Sequence, residues 1–346
     1  MPRKKTVTIR DVAQQANVSI ATVSYAFNRS GAISVETRAR VFAAAEALGY
    51  RPNVAASSLR RQESRTLGYS WHPLPKDHWH PVLDRFIYAM AAAAEARGYH
   101  ILTFAGGTGE TAWEAYEELM LSRHVDGFIL SDTNHGDVRI HCLLERDFPF
   151  VTFGRANAEW DFPYVDVDSE WGVEQVMRHL LKLGHRRIGL VTWEEGSLVG
   201  LHRYQGYCRA LEDAGLAQDP AWIVRGENAE DEARAITQSL LDLPDDRRPT
   251  AIVAVSDLMA LGTMRALHEN GLQPGQDVAV VGYDDIPTAQ YFRPPLSSVR
   301  QPIAEVGERV VEMLLKVIAG EPLVERRVLL KPELIVRASS GGPIHR

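Results

Sequence analysis

The side chains best suited to chemistry in this 346-residue chain stand where apolar runs end. Trp71 and His72 close the run TLGYSW, Trp193 closes RRIGLVTW, and Trp160 stands in the segment before YVDVD. Aromatic faces pack on the C–H surfaces of sugars, while carboxylates and guanidinium groups take the hydroxyls. Arg203 falls in the first turn of a helix predicted over 200–214, where a cation opposes the helix dipole and needs some other reason to be there. Asp257 follows the run AIVAVS and opens a helix predicted over 257–270, placed to cap it and to accept hydrogen bonds from ligand hydroxyls. Each feature also has a structural explanation, since capping aspartates and core tryptophans are ordinary. Four rings near strand ends are harder to explain that way.

Reaction chemistry finds no comparable footing. His72, His78 and His80 are close in sequence, but Pro73, Pro75 and Pro81 put them in a loop without the ligand spacing of a helix or strand. Asp166 and Asp168 alternate on a predicted strand, so one faces a cleft and the other faces away, and they form no acid–base pair. GxSxG, GxxxxGK[ST] and HExxH are missing. No catalytic residue, metal or cofactor is expected, and the chain does not read as an enzyme. Cys142 and Cys208 have no metal or redox spacing and suit a reducing cytoplasm. No run approaches the roughly 20 apolar residues that cross a bilayer, and no apolar region follows the basic start, so neither a membrane nor a secretory route is expected.

The elements that position these residues fall into a small head and a large body. Residues 1–62 carry ten Lys and Arg against three Asp and Glu, leaving 28 basic and 42 acidic residues to the rest. A basic head on an acidic body fits a module that binds a polyanion. Within the head, Thr8-Ile9-Arg10-Asp11 resembles a capping box, and Ile9, Val12, Ala13 and Ala16 follow at helical spacing. Asn17-Val18-Ser19 breaks the pattern; Ser19 caps a second helix over 20–27, with Val23 and Ala26 or Phe27 inward. Ser34 caps a third, which runs to about Leu48 and stops at Gly49. Two helices joined by a three-residue turn make a helix-turn-helix. A plain bundle would show Glu and Lys on the free face of its second helix; this one shows Ile20, Ala21, Ser24 and Tyr25. Such a surface suits a DNA groove.

The stretch TIRDVAQQANVSIATVSYAFN, followed by SVETRARVFAAAEALGYRPNVAASSLR, resembles the head and hinge of the lactose/galactose repressor (LacI-type) family over about fifty residues. The resemblance implies that Ile20 and Ala21 read base edges, with Tyr25 and Ser24 further along the helix. It implies that Thr8, Ser19, Thr22, Asn28, Thr37, Arg38 and Tyr50 fasten the DNA backbone. Asn53, Ser57, Leu59 and Arg60 would belong to a hinge helix that orders on operator DNA, with Leu59 wedged between bases from the minor groove. The expected units are a DNA-binding domain over 1–51, a hinge and linker over 52–64, and an effector-binding and dimerisation domain over 65–346.

Beyond residue 65, apolar runs alternate with helical patterns at 81–97, 111–122, 170–183, 200–214 and 257–270, which implies parallel sheets covered on both faces. GHRRIGLV, SDLMALG, VVGYDD and PPLSSVRQP resemble the family's effector domain. The fold expected is an all-α helix-turn-helix head plus an α/β body of two doubly wound parallel-sheet lobes like a type I periplasmic binding protein. One lobe would span about 65–164 and 293–324 and the other about 165–292 and 325–346, with crossings near 165, 293 and 325. The resemblance raises Arg203 and Asp257 as effector contacts. After RGE at 225–227 it leads one to expect a pocket aromatic, where Asn228 stands, and Val82 and Leu83 replace the aromatics of purine-binding members. These departures favour a neutral mono- or oligosaccharide. The tail after Arg337 has no heptads, so a homodimer on near-palindromic DNA is expected rather than a tetramer. Two alternatives stay open: a catabolite-control regulator answering to a phosphorylated carrier protein, and a sugar-binding protein without DNA function.

Overall fold

The structure, a computed structural model, describes residues 7–28, 33–51, 63–71, 80–106 and 113–341. His72, Asn53, Ser57, Leu59 and Arg60, and with them the expected hinge, lie outside the described residues, as does the side chain of Asn28. The chain divides into two compact units, residues 1–64 and 65–346.

The first unit holds three helices, α1 (Ile9–Ala16), α2 (Ile20–Asn28) and α3 (Val35–Leu48). Asp11 accepts the Thr8 N–H and hydroxyl at 2.7 Å each, which starts α1. Asn17 ends it in the left-handed region (φ 51°), and the Val18 N–H reaches back to the Ala13 carbonyl at 3.0 Å. Ser19 Oγ then accepts the Thr22 N–H at 3.1 Å and starts α2. One turn of chain therefore satisfies two helix ends. Ser34 Oγ accepts the Thr37 N–H at 3.1 Å, and Gly49 closes α3 at φ 65°. Val12, Ala13, Ala16, Val23, Ala26, Val41, Ala44 and Ala45 form the core, with Phe27 edge-on to Phe42 at 5.2 Å. The expected inward residues Ile9, Phe27 and Leu48 are half-buried and pack on this core.

The second unit contains two six-stranded sheets. Its first lobe is built from β1 (Thr66–Trp71), α4 (Pro81–Ala96), β2 (His100–Ala105), α5 (Glu114–Leu121), β3 (Gly127–Leu130), α6 (Val138–Glu145), β4 (Phe150–Phe153) and β5 (Tyr164–Val167). The second holds α7 (Ser169–Lys182), β6 (Ile188–Trp193), α8 (Leu198–Asp213), β7 (Ile223–Gly226), α9 (Glu230–Leu241), β8 (Ala251–Ala254), α10 (Asp257–Glu269), β9 (Ala279–Asp284) and β10 (Ser297–Arg300). The chain then adds α11 (Ile303–Ile318) and β11 (Arg327–Leu330) to the first lobe and β12 (Glu333–Ile335) to the second. The strand orders are β11-β5-β4-β3-β1-β2 and β12-β10-β9-β8-β6-β7. All named pairs are parallel except β10 with β12. Buried Val, Ile and Leu on β1, β3, β6, β8 and β9 fill the space between sheets and helices, as parallel strands covered on both faces require.

The three crossings fall later than expected. β5 pairs with β4 and β11 through Val167, so the first crossing follows residue 167 rather than 165. β10 pairs with β9 through Arg300, and β11 with β5 through Leu330, which moves the others from 293 to 301–302 and from 325 to 331–332. Short strands without strict alternation carry little local signal, so their lobe is settled by pairing. The helical patterns read from the sequence do not include α6, α9 or α11.

A buried histidine gives the second lobe a pH dependence. His185 is 5% exposed; Nδ1 meets Thr250 Oγ1 at 2.9 Å, and Nε2 has no partner among the described residues. Burial, then the neighbouring His179, pushes its pKa down from 6.5 to about 4. Between those values the unfolded chain takes up a proton that the folded chain refuses, so stability falls as pH drops through that window. At about 1.4 kcal/mol per unit the contribution has a ceiling of about 3 kcal/mol, less what solvent screening removes. Urea midpoints measured from pH 7 to 4.5 are expected to fall, and His185→Gln to flatten the slope. A variant with the unchanged slope would assign the loss to His202 and His179, which shift the same way.

Candidate functional site

A cavity of about 490 Å³ lies between the two sheets of the second unit, at the carboxyl ends of their strands. Trp71 ends β1, Ser131 and Thr133 follow β3, Gly154 and Arg155 follow β4, and Asp166 is on β5. From the facing lobe come Trp193 at the end of β6, Glu227 and Asn228 after β7, Asp284 at the end of β9, and the first turns of α8 with Leu198, His202 and Arg203. Tyr69, Val82, Leu83 and Phe153 supply apolar wall. The floor is set by hydrogen bonds behind it. Arg139 grips Asp137 through Nε (3.0 Å) and Nη2 (2.7 Å) and donates to the Ser131 and Asp132 carbonyls at 3.1 Å each, while Tyr69 OH meets Ser131 Oγ at 2.8 Å. Gly154 turns at φ 117°, and a Cβ there would sit 2.7 Å from Thr133 Oγ1, the atom that donates to the Arg155 carbonyl.

Two ion pairs line the cavity. Arg155 Nε donates to Asp166 Oδ2 at 2.6 Å, and the other carboxylate oxygen accepts the Val167 N–H at 2.8 Å. Arg203, 3% exposed, donates to the Val255 carbonyl, lies 3.7 Å from Asp284 Oδ1, and places its guanidinium 3.7 Å from the Tyr283 ring centre and 5.0 Å from that of Trp193. Its Nε is buried without a hydrogen-bond partner among the described residues. Burial raises the Asp166 and Asp284 carboxyls above the usual range, and the adjacent guanidinium groups oppose that shift. Gln301 Nε2 donates to Asp284 Oδ1 at 2.7 Å. His202 Nδ1 faces Arg155 Nη2 at 3.0 Å; because the arginine can only donate, Nδ1 accepts and the ring is neutral. Burial, then the Arg155 charge, pushes its pKa down to about 4.

Among the residues singled out in the sequence, Trp71, Trp193, Arg203 and Asn228 line this cavity. Asp257 and Trp160 are not on its wall. Ser256, not Asp257, caps α10, its Oγ accepting the Met259 N–H at 3.1 Å. Asp257 is thereby turned into the core, where its carboxylate accepts from Ser298 Oγ at 2.5 Å and the Ile286 N–H at 2.8 Å. Burial first, then Asp284, holds that carboxyl well above the usual carboxylate range. Trp160 stacks on His141 at 6.1 Å and packs against the apolar cluster around Phe150 and Phe162. Asp168 has left the strand and caps α7, accepting the Trp171 N–H at 3.1 Å. Arg155, His202, Asp284 and Gln301 were missed, although VVGYDD had marked the end of β9. No group of three His, Cys, Asp or Glu side chains among the described residues is placed to hold a metal.

In the first unit, Ile20 (44%) and Tyr25 (48%) are exposed large side chains on α2, with Ala21 exposed and Ser24 half-buried. Thr8 and Ser19 start α1 and α2, Thr22 Oγ1 meets Ser19 Oγ at 2.9 Å, and Thr37 Oγ1 meets Ser34 Oγ at 2.9 Å. Arg38 is half-buried on α3, and Tyr50 packs edge-on to Phe27 at 5.9 Å. Both α1 and α2 thus begin on hydroxyl residues at the surface, beside an exposed apolar strip.

Residues 8–53 match the model of bacterial regulatory proteins of the lacI family, and residues 177–340 match a periplasmic binding protein-like domain. The HTH-type transcriptional regulator CelR of Thermobifida fusca is 34% identical over 343 residues, covering 98% of this chain and 100% of that protein. The chain belongs to the lacI family. Among solved structures, a complex of the transcriptional regulator CelR with cellobiose is 32% identical (TM-score 0.73) and covers 96% of this chain and 99% of that one. The lac repressor dimer bound to operator and an anti-inducer is 27% identical (TM-score 0.86) over 98% and 100%. This lacI-family protein is accordingly a DNA-binding transcriptional regulator with a ligand-binding body, not an enzyme. No helix among the described residues is long and apolar enough to cross a membrane.

Proposed function

We propose that the protein is a cytoplasmic, homodimeric repressor of carbohydrate-utilisation genes whose hold on a near-palindromic operator is set by a neutral mono- or oligosaccharide in the cavity. The observation that carries this reading is the wall itself: two tryptophans from opposite lobes beside two arginines, each already paired with a carboxylate. Paired charges offer donors and acceptors to hydroxyls without leaving net charge for an anionic ligand to answer. Val82 and Leu83 give an aliphatic surface where stacking on a purine would need rings. The CelR complex with cellobiose supports a sugar, and the lac repressor dimer on operator supports paired heads, since one short helix makes too few base contacts for genomic specificity. Residues 52–64 are assigned the hinge role, and Leu59 the wedge, on the family resemblance.

A panel of glucose, galactose, cellobiose, maltose and lactose, read by thermal unfolding and by fluorescence anisotropy on promoter DNA, tests the reading. A true effector at a hundred times its dissociation constant adds about 2.7 kcal/mol, a rise of several degrees in midpoint, and changes operator affinity. Reciprocity requires that operator change sugar affinity by the same factor. Stabilisation by a phosphorylated carrier protein, with none by any sugar, would replace this reading with catabolite control.

A further inference from the structure

Two hydrogen bonds tie α8 of the second lobe to loops of the first, and neither needs a ligand. Asn134 Oδ1, in the loop after β3, accepts the Leu198 N–H at 3.0 Å. That N–H belongs to the first turn of α8, whose leading donors have no acceptor within the helix. Ser197 of the same lobe serves another of them, taking the Gly200 N–H at 3.2 Å. The acceptor for Leu198 comes from across the cavity. One turn later on the same helix, His202 Nδ1 accepts from Arg155, which is itself anchored to Asp166 on β5. The next residue is Arg203. The helix that carries the buried arginine of the cavity is therefore held to the first lobe at two points on one side.

We propose that Asn134 and His202 are positioning residues: they latch α8 to the first lobe and so set how long a ligand stays, Asn134 acting from outside the cavity wall. This rests on the reading of the cavity as the effector site. Closing the lobes completes the cap of α8 and joins Asp166, Arg155 and His202 in one chain of hydrogen bonds; opening them breaks both contacts at once. The latch favours the closed arrangement with or without ligand, and a ligand that needs both lobes gains from it by population shift.

Cellobiose is the probe, with binding followed by stopped-flow tryptophan fluorescence. Loss of one such bond is expected to raise the dissociation constant about tenfold for Asn134→Ala, chiefly through faster dissociation. Asn134→Asp keeps the acceptor oxygen, suits a helix N-terminus, and is expected to restore the wild-type rate. Nitroxides on the chain's two cysteines, Cys142 on α6 and Cys208 on α8, report the distance between lobes. Without ligand, that distribution is expected to broaden towards longer distances in Asn134→Ala and in His202→Leu, and to keep the wild-type width in Asn134→Asp. Unchanged distances in Asn134→Ala, or an Asn134→Asp variant as open as Asn134→Ala, would overturn the latch. Failure of cellobiose to bind the wild-type protein counts against the sugar, while the spin-label distances still decide the latch.

Discussion

Arg203→Ala is expected to abolish the effector response, with at least a hundredfold loss of ligand affinity, while specific operator binding persists. The side chain is 3% exposed and lies between the rings of Tyr283 and Trp193, with Asp284 at 3.7 Å. Its Nε has no hydrogen-bond partner among the described residues. A buried cation with an unused donor beside a cavity is placed to meet a ligand acceptor, and an unanswered buried donor is costly. Truncation also removes the guanidinium that most opposes the burial of Asp284, and breaking a buried pair costs about 3–5 kcal/mol because the partner is left behind. Part of the loss would therefore be stability. The double variant Arg203→Ala/Asp284→Asn separates the two effects: it should recover most of the thermal midpoint and none of the ligand binding. Arg203→Lys keeps the charge but not the planar fork, and should bind ligand between the two. Calorimetry with the stabilising sugar and anisotropy on operator DNA make the comparison. Ligand binding in the double variant within threefold of wild type would remove Arg203 from the site.

The head was legible in nearly every residue because its structure is locally determined. Thr8 with Asp11, Asn17, Ser19, Ser34 and Gly49 each act on atoms within a few residues, so type and spacing suffice. The body was legible as a class of fold, since its continuous apolar runs can only be strands covered on both faces, but not in its crossings, which depend on which strand pairs with which. The cavity was half legible for the same reason. Trp71 and Trp193 end strands, a feature visible in one dimension; Arg203, expected in the first turn of its helix, is the sixth residue of α8 and lies in the second turn. Arg155 follows a glycine turn after β4 and has no periodic context; only the Asp166 carboxylate, eleven residues on and one strand over, gives it a place. Asp257 shows how one residue decides. With Ser256 as the cap, Asp257 becomes the first residue of α10 and points at Ser298 and the Ile286 N–H rather than into the cavity. The next carboxylate at a strand end, Asp284, takes the cavity position, its backbone at φ 114° and its neighbour Asp285 at φ 47° held by Arg300 and Arg337 at 2.7 Å each. Left-handed geometry at two successive non-glycine residues is uncommon, and it occurs beside the site.

Ile20→Ala and Tyr25→Ala, together, are expected to cut specific operator affinity by a hundredfold or more while changing nonspecific DNA affinity and folding stability little. Both side chains are nearly half exposed on α2, so the fold gains little by keeping them, and surface substitutions of this kind stay within about ±0.5 kcal/mol. Apolar contact with base edges in the major groove, thymine methyls among them, is worth on the order of 1–3 kcal/mol for a well-placed side chain, and the two positions lie far enough apart along the helix to add. The side chains expected to fasten the DNA backbone are left in place, so the dependence of binding on salt should keep its slope, because that slope counts neutralised phosphates. Val23→Ala is the contrasting variant. It sits in the same helix with no exposure, and its truncation opens a cavity in an eight-residue core, so it should lower stability and, through it, every form of DNA binding. If the surface pair instead lost specific and nonspecific affinity in equal measure, with the salt slope reduced, α2 would be fastening the backbone rather than reading bases, and sequence recognition would have to come from outside this helix.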